Sequence, residues 1–354
     1  MKMAELIKKF QLEHPELTEA MEKNTHHFSR TNLNPFHIEG SVWAHSMQVC
    51  LMAETLKVND LVKIACVLHD VGKPMSTKVD DETGKVKMFG HEGLSVFLGM
   101  KFLNSLDLTD EQKVRVLQLV SLHTVLYKAM RSESFEKDVV EKFKGNAELL
   151  MDLIDMSACD ALGRFMDGDE KREFWEKAQD NLGHLVFKCD KPSVVRQTKG
   201  EAIILVGPPM SGKSTWMKKN APDYTVISRD EMLLKVAKTD NYAEAWAKVD
   251  QDKVNAAYEL HKKSVVKSEE KIIFDLTHMT AKGRNRSLQG LPRDMKRVCV
   301  VFVTSMETLK ERNVKRTKEE NKHIPDYVLK NMMGSFEFPL ISEGFDEIRY
   351  VLTK

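Results

Sequence analysis

The sequence predicts two domains of different class, an all-α bundle followed by an α/β domain with a parallel sheet. Three observations carry this. From about 41 to 180 the apolar residues recur at helical spacing. From 201 onward, apolar runs of strand length alternate with helical segments, the pattern of a parallel sheet covered on both faces. Between the two, the tract 187–200 contains Pro192 and Gly200, lacks amphipathic order and reads as a linker. The expected boundaries are therefore 1–186, 187–200 and 201–354.

Helices are expected over 41–55, 61–68, 94–106, 112–126 and 147–163 from their apolar periodicity. The stretch 76–89, STKVDDETGKVKMF, places a polar turn between two β-tolerant runs, as a small hairpin would. In the second half, AIILV (202–206), YTVIS (224–228), KIIFD (271–275) and RVCVVFV (297–303) read as strands.

Composition narrows the class. Hydrophobic residues at 42% and charged residues at 30% exclude wholesale disorder and fibrous repeats. No apolar run reaches the ~20 residues that span a bilayer, and the N-terminus mixes charges throughout, so a cytoplasmic protein is expected. The five cysteines form no C-x-x-C pair and are expected as buried free thiols. A net charge of +1 argues against a coating nucleic-acid binder, yet it hides an asymmetry. Residues 1–199 carry 27 Lys and Arg against 31 Asp and Glu; residues 200–354 carry 27 against 22. A polyanionic substrate is steered to the second half.

Gly207-Pro-Pro-Met-Ser211-Gly212-Lys213-Ser214, followed by Thr215, fits G-x-x-x-x-G-K-S/T and lies between the strand AIILV and a helical segment. Backbone N–H groups of such a loop converge on phosphate oxygens; Lys213 suits the β/γ-phosphates of ATP and Ser214 suits Mg²⁺. Asp230 follows the strand YTVIS at the sheet's carboxyl edge, where a carboxylate can accept the proton of an attacking hydroxyl or simply cap a helix. Asp275 ends KIIFD at the same edge, with Thr277 after it, and suits orientation of the acceptor or of a metal's water. Arg312 and Arg316 share one helix face, where their guanidinium forks can close over a phosphoryl group or face solvent.

Together GPPMSGKSTW, SRDE, IIFDLTHMTAKGRNR and ERNVKRTKEENKHIPDYVLKNM resemble the 5′-hydroxyl polynucleotide kinases of nucleic-acid repair. The resemblance implies Asp230 as general base, Lys213 and Ser214 at ATP and Mg²⁺, Arg316 and Arg312 as lid arginines, and Arg284 with Asp275 and Thr277 on the substrate side. It also marks a departure. Leu233 stands where the family usually carries an arginine for the acceptor's phosphate.

In the first half His45, His69-Asp70, His91, His123 and Asp160 lie in or beside predicted helices, several on apolar stretches. Singly, each suits a satisfied core position or a helix end; converging, such groups can bind one or two divalent ions. The order H…HD…H…H…D, with Val-Gly-Lys after the dipeptide, resembles the HD phosphohydrolase superfamily. That resemblance implies one metal on His45, His69, Asp70 and Asp160, and a second on His91 and His123 sharing Asp70, with Lys73 and Arg164 as phosphate clamps. Mn²⁺, Co²⁺, Ni²⁺, Fe²⁺ and Zn²⁺ all suit these ligands.

An HD domain joined to a polynucleotide-kinase-like domain resembles the HD-Pnk type of RNA-end-healing protein. This implies phosphorylation of 5′-hydroxyl ends and hydrolysis of 2′,3′-cyclic or terminal phosphates on RNA, with DNA ends as a possible second substrate and a separate RNA ligase as partner. Two other readings stay open: a small-metabolite or nucleoside kinase fused to a nucleotide hydrolase, and a kinase with a non-catalytic, RNA-binding HD module.

Overall fold

A computed structural model describes residues 1–28, 33–130, 132–165, 182–189, 198–320 and 323–353. The chain forms two compact units, one of Met1–Pro192 with Met333–Phe338, the other of Ser193–Met332 with Pro339–Lys354. Of the expected linker, 187–189 end a helix, Gly183–Cys189, and 190–197 lie outside the described residues.

The first unit is helical, with one two-stranded ribbon: β1 (Lys78–Val79) pairs antiparallel with β2 (Val86–Lys87), the hairpin expected from the polar turn. Helix starts are set by side chains that accept orphan N–H groups. Ser41 Oγ accepts from Ala44 N at the head of Val42–Thr55. Asn59 accepts from Leu61 N and Val62 N at the head of Asp60–Leu68. Thr109 and Gln112 form a reciprocal capping box on Asp110–Leu122. Asp60–Leu68 is buried nearly all round, through Val62, Ile64, Ala65, Cys66, Val67 and Leu68, and so runs through the middle of the bundle. Phe10, wholly buried, stacks on Trp43 and meets Phe102 edge-on at 5.2 Å. The helix expected over 112–126 instead stops at Leu122, and a short one resumes at Val125–Ala129. His123 sits in that break.

In the second unit a parallel five-stranded sheet has the order β4 (Thr225–Ser228), β5 (Lys271–Asp275), β3 (Glu201–Val206), β6 (Lys296–Thr304), β7 (Glu347–Thr353). Ile203 is in register with Ile273 on one side and Val298 on the other. After β3 the chain moves to one edge, then crosses back beyond β3, so the loop following β3 lies where strand order reverses, the usual ligand position of such sheets. Ile203, Leu205, Ile273, Val298, Val300 and Phe302 form the core beneath it. Strand β7 went unread in the sequence because EIRYVLT is half-buried along its length, without an apolar run.

All five cysteines are buried free thiols. Among the described residues no helix is long and apolar enough to cross a membrane.

Candidate active sites

In the helical unit six of the expected ligands meet at one point. His45 stands in the first turn of Val42–Thr55, His69 caps Asp60–Leu68, and Asp70 follows. His91 opens the helix His91–Asn104, His123 ends Asp110–Leu122, and Asp160 lies near the end of Ala147–Leu162. Position at a helix end has a chemical use. His69, His91 and His123 each donate Nδ1–H to the carbonyl three residues earlier, Cys66 O at 2.8 Å, Met88 O at 2.7 Å and Val120 O at 2.7 Å. This fixes the tautomer and turns each Nε2 lone pair into the site, where His91 Nε2 and His123 Nε2 stand 3.2 Å apart.

Those Nε2 atoms surround Asp70. Its Oδ2 lies 3.1 Å from His69 and 3.7 Å from His45; its Oδ1 lies 3.4 Å from His91 and 3.8 Å from His123. The carboxylate thus belongs to two ligand groups, His45/His69/Asp70 and Asp70/His91/His123, each with its donor atoms within 4.8 Å of one another. Asp160 Oδ1 reaches His45 Nε2 at 3.0 Å. Asp70 Oδ1 and His69 Nε2 are buried without a hydrogen-bond partner, a costly state that a divalent cation would relieve. Burial pushes the His123 imidazole down to about 3 and lowers His91, so both are neutral ligands at pH 7. Burial opposes ionisation of Asp70, but its interactions with His69 and Lys73 hold it well below the usual carboxylate range. The donor set fits a divalent metal.

Lys73 and Arg164, expected as phosphate clamps, pair with the ligand carboxylates. Lys73 Nζ lies 2.6 Å from Asp70 Oδ2 and donates to His26 Nε2 at 3.0 Å. Arg164 donates to Asp160 Oδ2 at 2.7 Å and stacks over Tyr127 at 4.3 Å. Glu39 is a further participant that the sequence did not reveal. Its buried carboxylate accepts from His37 Nδ1 at 2.9 Å and lies 3.0 Å from His45 Nδ1, behind a ligand ring. His26, His37 and Glu39 form a third close group, but the two rings lie parallel at 4.0 Å, so their in-plane lone pairs do not converge.

In the second unit the phosphate loop is shaped by backbone that only special residues accept. Gly207 and Gly212 have φ of 151° and 100°, and Met210 stands at 65°. A Cβ on Gly207 would meet Phe302 O and Ser211 Oγ, each at 2.9 Å. Lys213 is buried, with Nζ donating to Gly207 O and Pro208 O at 2.8 Å; burial lowers it to about 8, against the opposing pull of Asp275 and Asp230. Ser211 Oγ is buried without a partner, whereas Ser214 and Thr215 are exposed at the loop's mouth. This cradle fits the phosphates and Mg²⁺ of ATP.

Asp230 is the second residue of Arg229–Ala237, and Ser228 caps that helix through Glu231 N. The capping role considered for Asp230 is therefore filled by its neighbour. Burial raises the Asp275 carboxyl, with Lys213 opposing. Thr277 joins through its backbone, its carbonyl accepting from Gly207 N at 2.9 Å. Arg312 Nη1 donates to Met210 O at 2.9 Å, tying Met306–Glu320 to the loop, and Arg316, one turn on, is half-buried within electrostatic reach of Lys213. One expectation needs correction. Arg284, assigned to substrate, is wholly buried: it grips Glu343 with two 2.7 Å bonds and donates to His278 O, so its donors are spent inside the fold. Leu233, the departure from the family pattern, is fully buried against Ala245 and Val254.

Residues 42–192 match the family model described as the HD domain, which spans all six ligands. Residues 203–339 match the model described as an AAA domain, which spans the phosphate loop, Asp230, Asp275 and both lid arginines. Among solved structures, a candidate kinase from Chloroflexus aurantiacus J-10-fl shares 17% identity at a TM-score of 0.34, over 44% of this chain and 89% of its own. The chain thus joins a helical unit that matches the HD domain to an α/β unit that matches an AAA domain and carries a phosphate loop.

Proposed function

We propose that the protein heals broken RNA ends, phosphorylating 5′-hydroxyls in its second unit and hydrolysing 2′,3′-cyclic or terminal 2′/3′ phosphates in its first. The observation that supports this most is Asp230, which a capped helix sets within electrostatic reach of the phosphate-loop lysine. In this reading the acceptor oxygen attacks the γ-phosphorus of ATP, its proton passes to the Asp230 carboxylate, and the bond to the β–γ bridging oxygen breaks to release ADP. Lys213 and the lid arginines Arg312 and Arg316 offset the charge that develops on the transferring group.

For the hydrolytic half, Asp70 and the four imidazoles would hold two divalent ions, with Asp160 beside His45. Ions so held supply an activated water and a Lewis acid for the departing oxygen. Lys73 and Arg164, already at the edge of the site, are placed to exchange a carboxylate partner for a substrate phosphate. The product ends, 5′-phosphate and 3′-hydroxyl, are those a separate ligase would seal; DNA ends are a second possible substrate.

The test is transfer of labelled γ-phosphate to a 5′-hydroxyl oligonucleotide, with a free nucleoside as rival acceptor, alongside phosphate release from a cyclic-phosphate RNA end with Mn²⁺, Co²⁺ or Ni²⁺. Lys213→Ala is expected to abolish transfer and spare hydrolysis. Phosphorylation of the nucleoside alone would point to a small-metabolite kinase, and hydrolysis absent with every metal would make the HD domain a binding module.

A further inference from the structure

Next to Asp230 stands a short helix, Tyr242–Lys248, that no motif singles out. Its Tyr242 hydroxyl donates to Asp230 Oδ1 at 3.3 Å. Burial and the neighbouring Asp230 raise the phenol to about 12, so it keeps its proton and remains the donor. One turn later Trp246 stacks on Tyr242, the rings 6.2 Å apart and 22° from parallel. Trp246 is 50% exposed, the most open tryptophan among the described residues. Arg229, which immediately precedes Asp230, sets its guanidinium 5.6 Å above the Trp246 ring, anchored by Asn255 Oδ1 at 3.0 Å and Gln251 Oε1 at 2.6 Å. A wall of two aromatic rings and a fixed cation thus starts at Asp230 and ends in solvent.

We propose that Tyr242 and Trp246 form a stacking platform for the nucleobase of the acceptor's 5′-terminal nucleotide, an inference that rests on the kinase reading above. A hydroxyl within reach of Asp230 lies beside the Tyr242 phenol, so the rest of that nucleotide meets the aromatic wall. Flat π surfaces beside a guanidinium are the chemistry that holds an unpaired base without regard to sequence. Leu233, one turn on from Asp230, is buried and offers the acceptor no polar contact there, whereas the wall adjoins Asp230 directly. The platform favours a nucleic-acid end over a small hydroxyl compound, and Trp246 serves in binding only.

The experiment uses the full chain and two single-stranded 5′-hydroxyl oligonucleotides, one ordinary and one abasic at its first nucleotide. For the unsubstituted protein the acceptor KM is expected to be about 10- to 100-fold higher for the abasic strand, in line with the loss of a stacked base. Trp246→Ala is expected to raise KM for the ordinary strand toward the abasic value, Trp246→Phe to restore most of the difference, and neither to move the KM for ATP. Equal KM for the two strands in the unsubstituted protein, a measurement that needs no variant to fold, overturns the platform while the kinase reading stands. A rise confined to the KM for ATP gives the wall to the donor's adenine and also overturns it. No transfer to either strand removes the kinase reading and the platform with it.

Discussion

Asp70 shows how one residue can decide a site. Each of its oxygens faces two imidazoles, Oδ2 also meets the Lys73 ammonium, and no hydrogen bond satisfies Oδ1. Asp70→Asn keeps the shape and removes the charge, so elemental analysis is expected to find both ions depleted and cyclic-phosphate hydrolysis lost, with kinase turnover retained. His91→Ala or His123→Ala removes a ligand from one group only and is expected to leave partial metal content. His278 makes a different point. Its ring is buried, Nδ1–H donates to Leu205 O at 2.8 Å and Nε2 accepts from Ser287 Oγ at 2.7 Å, so protonation would cost the second bond. Burial pushes it down to about 4. Because the unfolded ring takes its proton near 6.5 and the folded ring does not, this stability is present above pH 6.5 and is lost as pH falls toward 4. The loss amounts to about 3 kcal/mol at most. Denaturant midpoints at pH 7 and pH 5 should differ more for the unsubstituted protein than for His278→Gln.

Elements matter here chiefly through where they end. His69, His91 and His123 all stand at helix termini, where the chain turns and the ring can donate back three residues to a carbonyl while Nε2 points outward. The spacing between those ends is held by close backbone contact. Gly72 N donates to Ser95 Oγ, and Ser95 Oγ donates to His69 O at 2.8 Å. A Cβ on Gly72 would come within 2.4 Å of His91 O and 2.8 Å of Ser95 N, both backbone atoms with no freedom to rotate away. Gly72→Ala is expected to destabilise the helical unit by about 1–3 kcal/mol and to move His91 from Asp70. A lowered thermal midpoint together with reduced metal content would show both effects; an unchanged midpoint would mean that the helices part at little cost.

At the scale of the whole molecule, charge and class divide together: the helical half carries the acidic excess and the α/β half the basic one. If the second half takes a polyanion, acceptor KM for an oligonucleotide should rise with salt while that for a nucleoside stays level. Titration of both from low to moderate ionic strength checks this. The sequence by itself determined the two fold classes, the phosphate loop and the ligand order of the HD half, because each is local: periodicity, a contiguous glycine loop, and histidines at recognisable places in their own segments. It misassigned Arg284 and had nothing to say about Glu39, Tyr242 or Trp246. Arg284 looked like a substrate contact until folding brought Glu343, 59 residues away in sequence, against it. Glu39 reaches the ligand ring of His45 only through the fold, and no local pattern encodes that. Which polar groups are spent inside the fold and which remain for a ligand is set by long-range packing and burial, and that the tertiary structure alone decided.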